Sequence, residues 1–180
     1  VMATPTTEGK ASALSSNLWV ISFIGRDRPG LIRDILSEPA ARNVNIVDLD
    51  QRVMQGIFVM SVVADFGLAN VTASKLEAYF EKAAPSWGIE FSFLPMELYQ
   101  GRRRSRKNLY VVTIVAKDRV GIILDVASLA AKNNINIEKA SVTARGELIS
   151  IEFLMDFADC EVEGCKDELR IGSEKLGLDM

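Results

Sequence analysis

The chain has 180 residues, 48% of them hydrophobic, which is enough to build the core of one ordinary globular domain or of two small ones. Its formal net charge of −3 at pH 7 offers no general attraction to phosphate backbones, which argues against nucleic acid as the main partner. With no histidine and two cysteines, the sequence lacks the commonest acid/base residue and a plausible zinc-ligand set, so we expect neither a metal nor a cofactor.

The first part of the chain, residues 1–16, is rich in Ser, Thr and Ala and has neither a secretory apolar core nor the Arg content of a transit peptide. We interpret it as a mobile tail. The longest apolar runs have the length of one strand, whereas a membrane span needs roughly 20 residues. Cys160 and Cys165 lie among acidic residues that oppose thiolate formation. These features predict a reduced, cytoplasmic protein without a membrane partner, or an organellar one if a targeting segment has been removed.

The predicted elements begin with the segment "NLWVISFIG", whose length and β-branched and aromatic content indicate a strand. The next residues, Asp27-Arg28-Pro29-Gly30, predict a helix start with Asp27 as N-cap and Pro29 in the first turn. Pro39 should kink or shorten this helix, because proline removes a main-chain donor. A strand through "IVDLDQRV", a turn at Met54-Gln55-Gly56 and another strand form a hairpin. A helix over residues 71–84 and a strand in "WGIEFSFLPMEL" follow.

The same series of elements occurs twice. Residues 18–66 and 109–157 align at a constant offset of 91 without a gap, and 14 of these 49 positions are identical, which indicates a duplication. The identical positions, each with its partner 91 residues later, are Leu18, Val20, Asp27, Arg28, Gly30, Ile32, Asp34, Ser37, Ala40, Asn43, Asn45, Ile46, Asp65 and Phe66. In the second copy a helix is predicted over residues 162–175, and "LGLDM" begins a short or truncated fourth strand.

The repeated order of elements predicts an α+β protein with two tandem ferredoxin-like (βαββαβ) domains, each an antiparallel four-stranded sheet with two helices on one face. We place these domains at residues 17–98 and 108–180, with a basic linker over residues 99–107. The strand "LWVISFI" is apolar on both faces, so its second face should also be covered. We expect the other repeat or another copy of the chain to cover it, and a homodimer is the simplest such assembly.

Two interpretations of the repeated corner between strand and helix stay open. In the structural one, the aspartate caps the helix and the glycine lets strand and helix pack tightly. In the functional one, free main-chain N–H groups at the helix start attract a carboxylate, the glycine admits a ligand, and the aspartate holds an ammonium group. Carboxylate and ammonium together describe an amino acid. Asn45 and Asn136, each 15 residues after the glycine, could come beside the corner and supply a donor and an acceptor.

The string "DRPGLIRDILSEPAARNVNIVDLDQ", followed by "FVMSVVADF", resembles the ACT domain, a small regulatory module of amino-acid and purine metabolism. A chain of two such modules is similar to the glycine cleavage system transcriptional repressor group, and paired modules also occur in some phosphoserine phosphatases. The resemblance implies effector binding at the corner and at domain interfaces. The positions to which it assigns ligand binding are Asp27, Arg28, Gly30, Leu31 and Asn45, and in the second copy Asp118, Gly121, Ile122 and Asn136.

The two corners depart from the family pattern in different ways. Val120 replaces the proline of the usual D-R-P-G string. A histidine that some serine-binding members carry two residues before the aspartate is Gly25 in the first copy and Ala116 in the second. The first copy is therefore the better candidate for a working site.

Between the copies, the run "GRRRSRK" is either a solvated connector or a patch for nucleic acid or an acidic partner. No helix-turn-helix and no interleaved aromatic residue accompanies it, so we expect no direct sequence-specific DNA binding. A carboxylate pair formed by Asp48 and Asp50 is the one catalytic candidate, but Lys139 and Ser141 replace it in the second copy, and we interpret both aspartates as exposed polar residues.

The sequence as a whole predicts a non-catalytic regulatory protein that senses a small amino acid of the glycine or serine class and acts by ligand-dependent association. Its role would lie in the control of amino-acid or one-carbon metabolism. The alternative is a regulatory subunit or interaction scaffold for a separate enzyme, with no ligand of its own.

Overall fold

In the computed structural model, residues 17–99, 108–145 and 147–179 are described. The chain divides into two compact units, Val1–Arg102 and Arg103–Met180. We call their described parts module 1 and module 2. The tail predicted for residues 1–16 and nearly all of the predicted basic linker lie outside the described residues.

Module 1 contains four strands and two α-helices in the predicted order. They are β1 (Leu18–Arg26), α1 (Leu31–Ala41), β2 (Asn45–Met54), β3 (Ile57–Asp65), α2 (Ala73–Trp87) and β4 (Ile89–Pro95), followed by a 3₁₀ turn at Met96–Tyr99. The strands form one antiparallel sheet in the order β2-β3-β1-β4. This confirms the ferredoxin-like α+β arrangement predicted from the sequence.

Module 2 repeats the arrangement with three full strands. Its elements are β5 (Leu109–Lys117), α3 (Ile122–Lys132), β6 (Asn136–Arg145), β7 (Leu148–Asp156) and α4 (Val162–Lys175), and the strand order is β5-β7-β6. The bounds of α4 agree with the predicted range of 162–175. Where the sequence predicts a fourth strand, an isolated bridge joins Val115 to Asp179.

Each module has its own core between its sheet and its helices. Alternate side chains of β3 and β7 face this core, as their period-two pattern predicts. The residues on these two faces are Phe58, Met60, Val62 and Ala64 in module 1, and Ile149, Ile151, Phe153 and Met155 in module 2, all buried. Burial of each of these side chains other than that of Ala64 contributes about 1.5–3 kcal/mol, so β3 and β7 are main determinants of the stability of their modules.

The expected effect of Pro39 on α1 is wrong as regards length, because α1 and α3 both have eleven residues. Pro39 lies in the last turn, where main-chain bonds from beyond the helix hold the end. The Val44 N–H donates to the Pro39 carbonyl at 2.9 Å, and the Ile135 N–H donates to the Ala130 carbonyl at 2.9 Å in module 2. The same terminating bond therefore closes both helices, with or without proline.

The sheet faces that point away from the helices carry exposed apolar side chains in both modules. Ile24 of β1 is 49% exposed and Val111 of β5 is 62% exposed. That a second copy or the other repeat covers these faces stays a prediction. Within the described part of the chain, no helix is long and apolar enough to cross a membrane.

Candidate functional site

The repeated corner lies at the end of the first strand of each module and is fixed to the neighbouring hairpin turn. The Asp27 N–H donates to the Gly56 carbonyl at 3.2 Å, and the Asp118 N–H donates to the Glu147 carbonyl at 3.0 Å. Both carboxylates are exposed and make no hydrogen bond or ion pair with a described residue. The main chain is thus held in place while the acidic group stays available.

The prediction that Asp27 and Asp118 cap the helices is wrong. Gly30 and Gly121 occupy the N-cap positions, with φ of 84° and 94°, and no side chain caps either helix. A Cβ added at Gly30 would meet the flexible Arg33 guanidinium at 3.4 Å, and one at Gly121 would meet the Arg119 guanidinium at 3.9 Å. The glycines are therefore required by their left-handed backbone, and the tight strand-to-helix packing expected of them is not their role.

At the start of each helix, the groups that can contact a bound ligand belong to the main chain. The side chains of Leu31 and Ile122 are 1% and 2% exposed, so both belong to the cores and do not face a ligand. The Leu31 N–H donates to the Arg28 carbonyl at 3.3 Å. The N–H groups of Ile32 and Arg33 lie in the first turn, where a helix provides no internal acceptor. Two donors of α1 thus point out of the corner, beside the positive end of the helix dipole.

An arginine of each corner is held by an aspartate of the following helix. Arg28 Nη2 lies 2.8 Å from Asp34 Oδ2, and the equivalent atoms of Arg119 and Asp125 are 2.7 Å apart. Hydrogen bonding from Arg33, and then from Arg28, lowers the pKa of Asp34 below its ordinary value. Our sequence reasoning did not assign a role to these two aspartates, although their identity in both copies was a signal.

The two corners differ around this ion pair. Arg119 also donates to the Leu176 carbonyl at 3.4 Å, which ties the corner of module 2 to the end of α4. Val120, which stands where module 1 has Pro29, is fully exposed. The inequivalence suggested by the sequence is therefore visible in the structure.

The asparagines do not lie beside the corner of their own module. Asn45 pairs with Asp65, which pairs with Leu18 at the start of β1, whereas the corner follows Arg26 at its other end. Eight residues of strand separate the two places by about 26 Å. Asn136 lies in the same way opposite Asp156, far from Asp118, and its Nδ2 donates to Glu138 Oε1 at 2.8 Å. The expected contact within one module is wrong because β2 runs parallel to β1.

Gly25 carries a constraint that the sequence did not reveal. A Cβ at this position would lie 2.5 Å from the Gly88 carbonyl oxygen and 2.7 Å from the Ile89 Cα. Backbone atoms cannot move aside as a flexible side chain can. A histidine at this position, which the family resemblance describes for some serine-binding members, is therefore incompatible with the present position of β4.

The remaining candidates from the sequence have structural explanations. Asp48 accepts from the Leu49 N–H at 2.9 Å, and Asp50 lies 3.3 Å from Arg52, both at exposed positions. Cys160 and Cys165 are free cysteines. They occupy the position before the N-cap Glu161 and the fourth position of α4, which are the two positions of a hydrophobic staple. Burial first, then the Cys165 thiol and nearby carboxylates, raise the pKa of Cys160 to about 12. No metal-ligand cluster occurs among the described residues.

Comparison with known proteins gives the family. The ACT domain family model matches residues 17–94. The chain is 33% identical over 85 residues to a UPF0237 protein of Methanopyrus kandleri, covering 47% of this chain and 94% of that protein. The chain belongs to the ACT-domain family. Its regulatory fold is thereby established, and module 2, beyond the matched range, is an ACT module by its structure.

A second relative of this ACT protein is a phosphoserine phosphatase of Archaeoglobus fulgidus, 44% identical over 124 residues. The match covers 69% of the present chain, which spans 34% of the length of that phosphatase.

Two solved structures share the fold over 91% of the chain. An unknown protein from Galdieria sulphuraria is covered over 95% of its length, with a TM-score of 0.72 and 20% identity. A putative glycine cleavage system transcriptional repressor is covered over 94%, with a TM-score of 0.66 and 14% identity. At these identities the likeness concerns the fold alone.

Proposed function

We propose that this chain is a non-catalytic regulatory protein that senses a small amino acid and transmits its presence by a change in association. The observation that carries the proposal is the repeated corner. It combines an exposed carboxylate, a glycine in the left-handed region, and main-chain donors without an acceptor inside the helix. This combination is complementary to the two charges of an amino acid.

The chemistry assigns one role to each group. The N–H groups of Ile32 and Arg33, at the positive end of the α1 dipole, attract the α-carboxylate. The Asp27 carboxylate attracts the α-ammonium group. The proposed effector is an amino acid of the glycine or serine class. A relative 44% identical over 124 residues is named for phosphoserine, whereas Gly25 leaves no room for the histidine of the serine-binding pattern.

The position of Asn45 indicates how the site is completed. Since it lies at the opposite end of its own module, it can reach a corner only in a second module that runs antiparallel to the first. In a two-fold dimer of the chain, Asn45 of one copy would then face Asp27 of the other. Apolar side chains are available for such contact on the helix-bearing side of module 1, where Ile32 is 40%, Leu49 43% and Val53 48% exposed.

The mechanism is linkage between ligand binding and association. A ligand that contacts groups from two chains binds the associated state more tightly, so it shifts the equilibrium toward that state by its difference in affinity. A free ligand concentration of about 100 times the dissociation constant stabilises the bound form by about 2.7 kcal/mol.

Thermal melting with a panel of the twenty amino acids tests the proposal. We expect one small amino acid at millimolar concentration to raise the Tm of the wild type by several degrees, and the Asp27→Ala variant to lose this shift. Asp48→Ala removes an exposed carboxylate away from the corner and should keep it. The proposal fails if no amino acid produces a shift that depends on Asp27.

A second candidate function is regulation of a separate enzyme of amino-acid metabolism, without a ligand of the chain's own. It is supported by the likeness to a segment of a phosphoserine phosphatase. Co-purification of an enzyme with the chain from its native cell, together with a negative melting panel, would favour this candidate over the sensor.

A further inference from the structure

A groove lies between the two helices of module 1, on the side of the module that faces away from the sheet. Its walls are the end of α1 and one stripe of α2. Along α2 the lining residues Lys75, Tyr79 and Lys82 follow at helical spacing, and Arg42 stands at the end of α1. Val71 provides its accessible apolar part, and the buried Leu76 lies beneath it. The sensor proposed above does not use this surface.

The groove is held open by hydrogen bonds between the loop before α2 and the end of α1. Asn43 Nδ2 donates to the Leu68 carbonyl at 2.8 Å. The Asn70 N–H donates to the Arg42 carbonyl at 2.8 Å. These two bonds fix the spacing of the helices at this end, so a ligand would meet a prepared surface.

The charge of the groove is positive and only partly neutralised. Glu38 Oε1 lies 2.8 Å from Arg42 Nε, so these two charges compensate each other. Lys75 and Lys82 make no ion pair with any described residue, and the Tyr79 hydroxyl makes no hydrogen bond with one. Two ammonium groups and a phenol therefore remain available along one wall.

The equivalent position in module 2 shows that the fold does not require such a groove. Alignment of the N-caps Thr72 and Glu161 places Gly164, Glu168 and Ile171 where module 1 has Lys75, Tyr79 and Lys82. There, Lys132 Nζ lies 3.5 Å from Glu168 Oε2, a pair that bridges α3 and α4. A Cβ on Gly172 would lie 2.5 Å from Leu129 Cδ2, so these helices are in close contact. Module 2 has no lysine at the three aligned positions and carries an ion pair between its helices, whereas module 1 leaves two ammonium groups without an ion-pair partner among the described residues.

We propose that the α1/α2 groove of module 1 binds an acidic segment of a partner protein. Lys75 and Lys82 are seven residues apart on one helix, which separates their backbone positions by about 10.5 Å. Carboxylates four residues apart in an extended segment lie on the same face and span about 13 Å, a distance that the flexible lysine side chains can match. The separation favours a chain with acidic groups at two places over one small anion, and an apolar residue midway between them would contact Val71.

The test uses the full chain without added amino acid, so its outcome is independent of the sensor proposal. The probe is the fluorescein-labelled peptide Gly-Glu-Ala-Leu-Ala-Glu-Gly, measured by fluorescence polarisation at low salt, with Glu replaced by Gln in a control peptide. We expect Lys75→Glu and Lys82→Glu each to weaken binding about tenfold, since each replaces an attraction by a repulsion. Lys175→Glu, with the same change of net charge in module 2, should change binding less than about twofold.

The location of binding is checked by NMR on the labelled full chain. Peptide-induced shifts of the Val71, Lys75 and Tyr79 amides support the proposal. Absence of binding, equal binding of the control peptide, or equal weakening by Lys175→Glu would overturn it. Inorganic phosphate that produces the same amide shifts and displaces the peptide with the same dependence on both lysines would also overturn it, because the groove would then be a small-anion site.

Discussion

At the scale of single residues, Gly25 illustrates how a neighbouring strand restricts a position that looks variable. It pairs with Ile89 at the start of β4, and the space for its Cβ is taken by the backbone of Gly88 and Ile89. In module 2 the equivalent residue is Ala116, and the neighbouring Val115 is bridged to Asp179 near the end of the described chain. The close approach at Gly25 is therefore a feature of the way in which β4 packs against β1 in module 1.

We therefore expect Gly25→Ala to lower the free energy of unfolding of module 1 by about 1–3 kcal/mol, because the added methyl group must displace main-chain atoms. Chemical denaturation of the full chain measures this. Glu90→Ala, which removes an exposed side chain from the adjoining strand, should change the same free energy by less than about 0.5 kcal/mol. Equal stability of Gly25→Ala and the wild type would show that β4 can move away from β1.

At the scale of the elements, the start of α1 depends on the left-handed residue that precedes it and on the ion pair behind it. Arg28 folds back to Asp34, one turn into the helix, so the corner is closed from its own sequence. The identical pair in module 2 indicates that this arrangement predates the duplication. Both residues can thus keep the corner in shape without contacting a ligand.

The Asp34 carboxylate should make the stability of the chain depend on pH. Its pKa is lower in the folded state, so it stabilises the fold above its ordinary pKa and loses this effect as the pH falls through the lowered value. Asp34→Asn should therefore be less stable than the wild type at neutral pH, and the difference should be smaller at a pH below the ordinary value of 3.8. Urea unfolding at both pH values measures it, with Asp48→Asn as the control. A difference that is independent of pH would assign the effect to packing.

The sequence predicts the elements well and the site less well, for physical reasons. Period-two faces, helical spacing and turn residues are encoded by neighbouring positions in the chain. The hairpin at Met54-Gln55-Gly56 and the helix at 162–175 can therefore be predicted from the sequence. The wrong placement of Asn45 beside the corner is an error of topology, and the predicted order of elements was enough to avoid it. A strand-helix-strand unit returns the chain to the starting edge, so β2 must begin far from the corner. The α1/α2 groove depends on helix packing, which no local pattern encodes.

At the scale of the whole molecule, the duplication has produced two ACT modules that share a corner and differ in their surroundings. Module 1 keeps the D-R-P-G string and an open basic groove between its helices. Module 2 has Val120 at its corner and closes its helices with Lys132 and Glu168. Divergence of this kind suits a protein in which one module binds the effector and both contribute surfaces for association.

Complementation between two inactive variants tests the central claim most directly. If an amino acid binds between Asp27 of one copy and Asn45 of another, neither Asp27→Ala nor Asn45→Ala alone should bind it, as measured by calorimetry with the amino acid found in the melting panel. An equal mixture of the two variants should recover about a quarter of the wild-type sites, since half of the two-fold dimers are mixed and each contains one intact site. No recovery in the mixture, or full binding by Asn45→Ala alone, would contradict a site shared between copies of the chain.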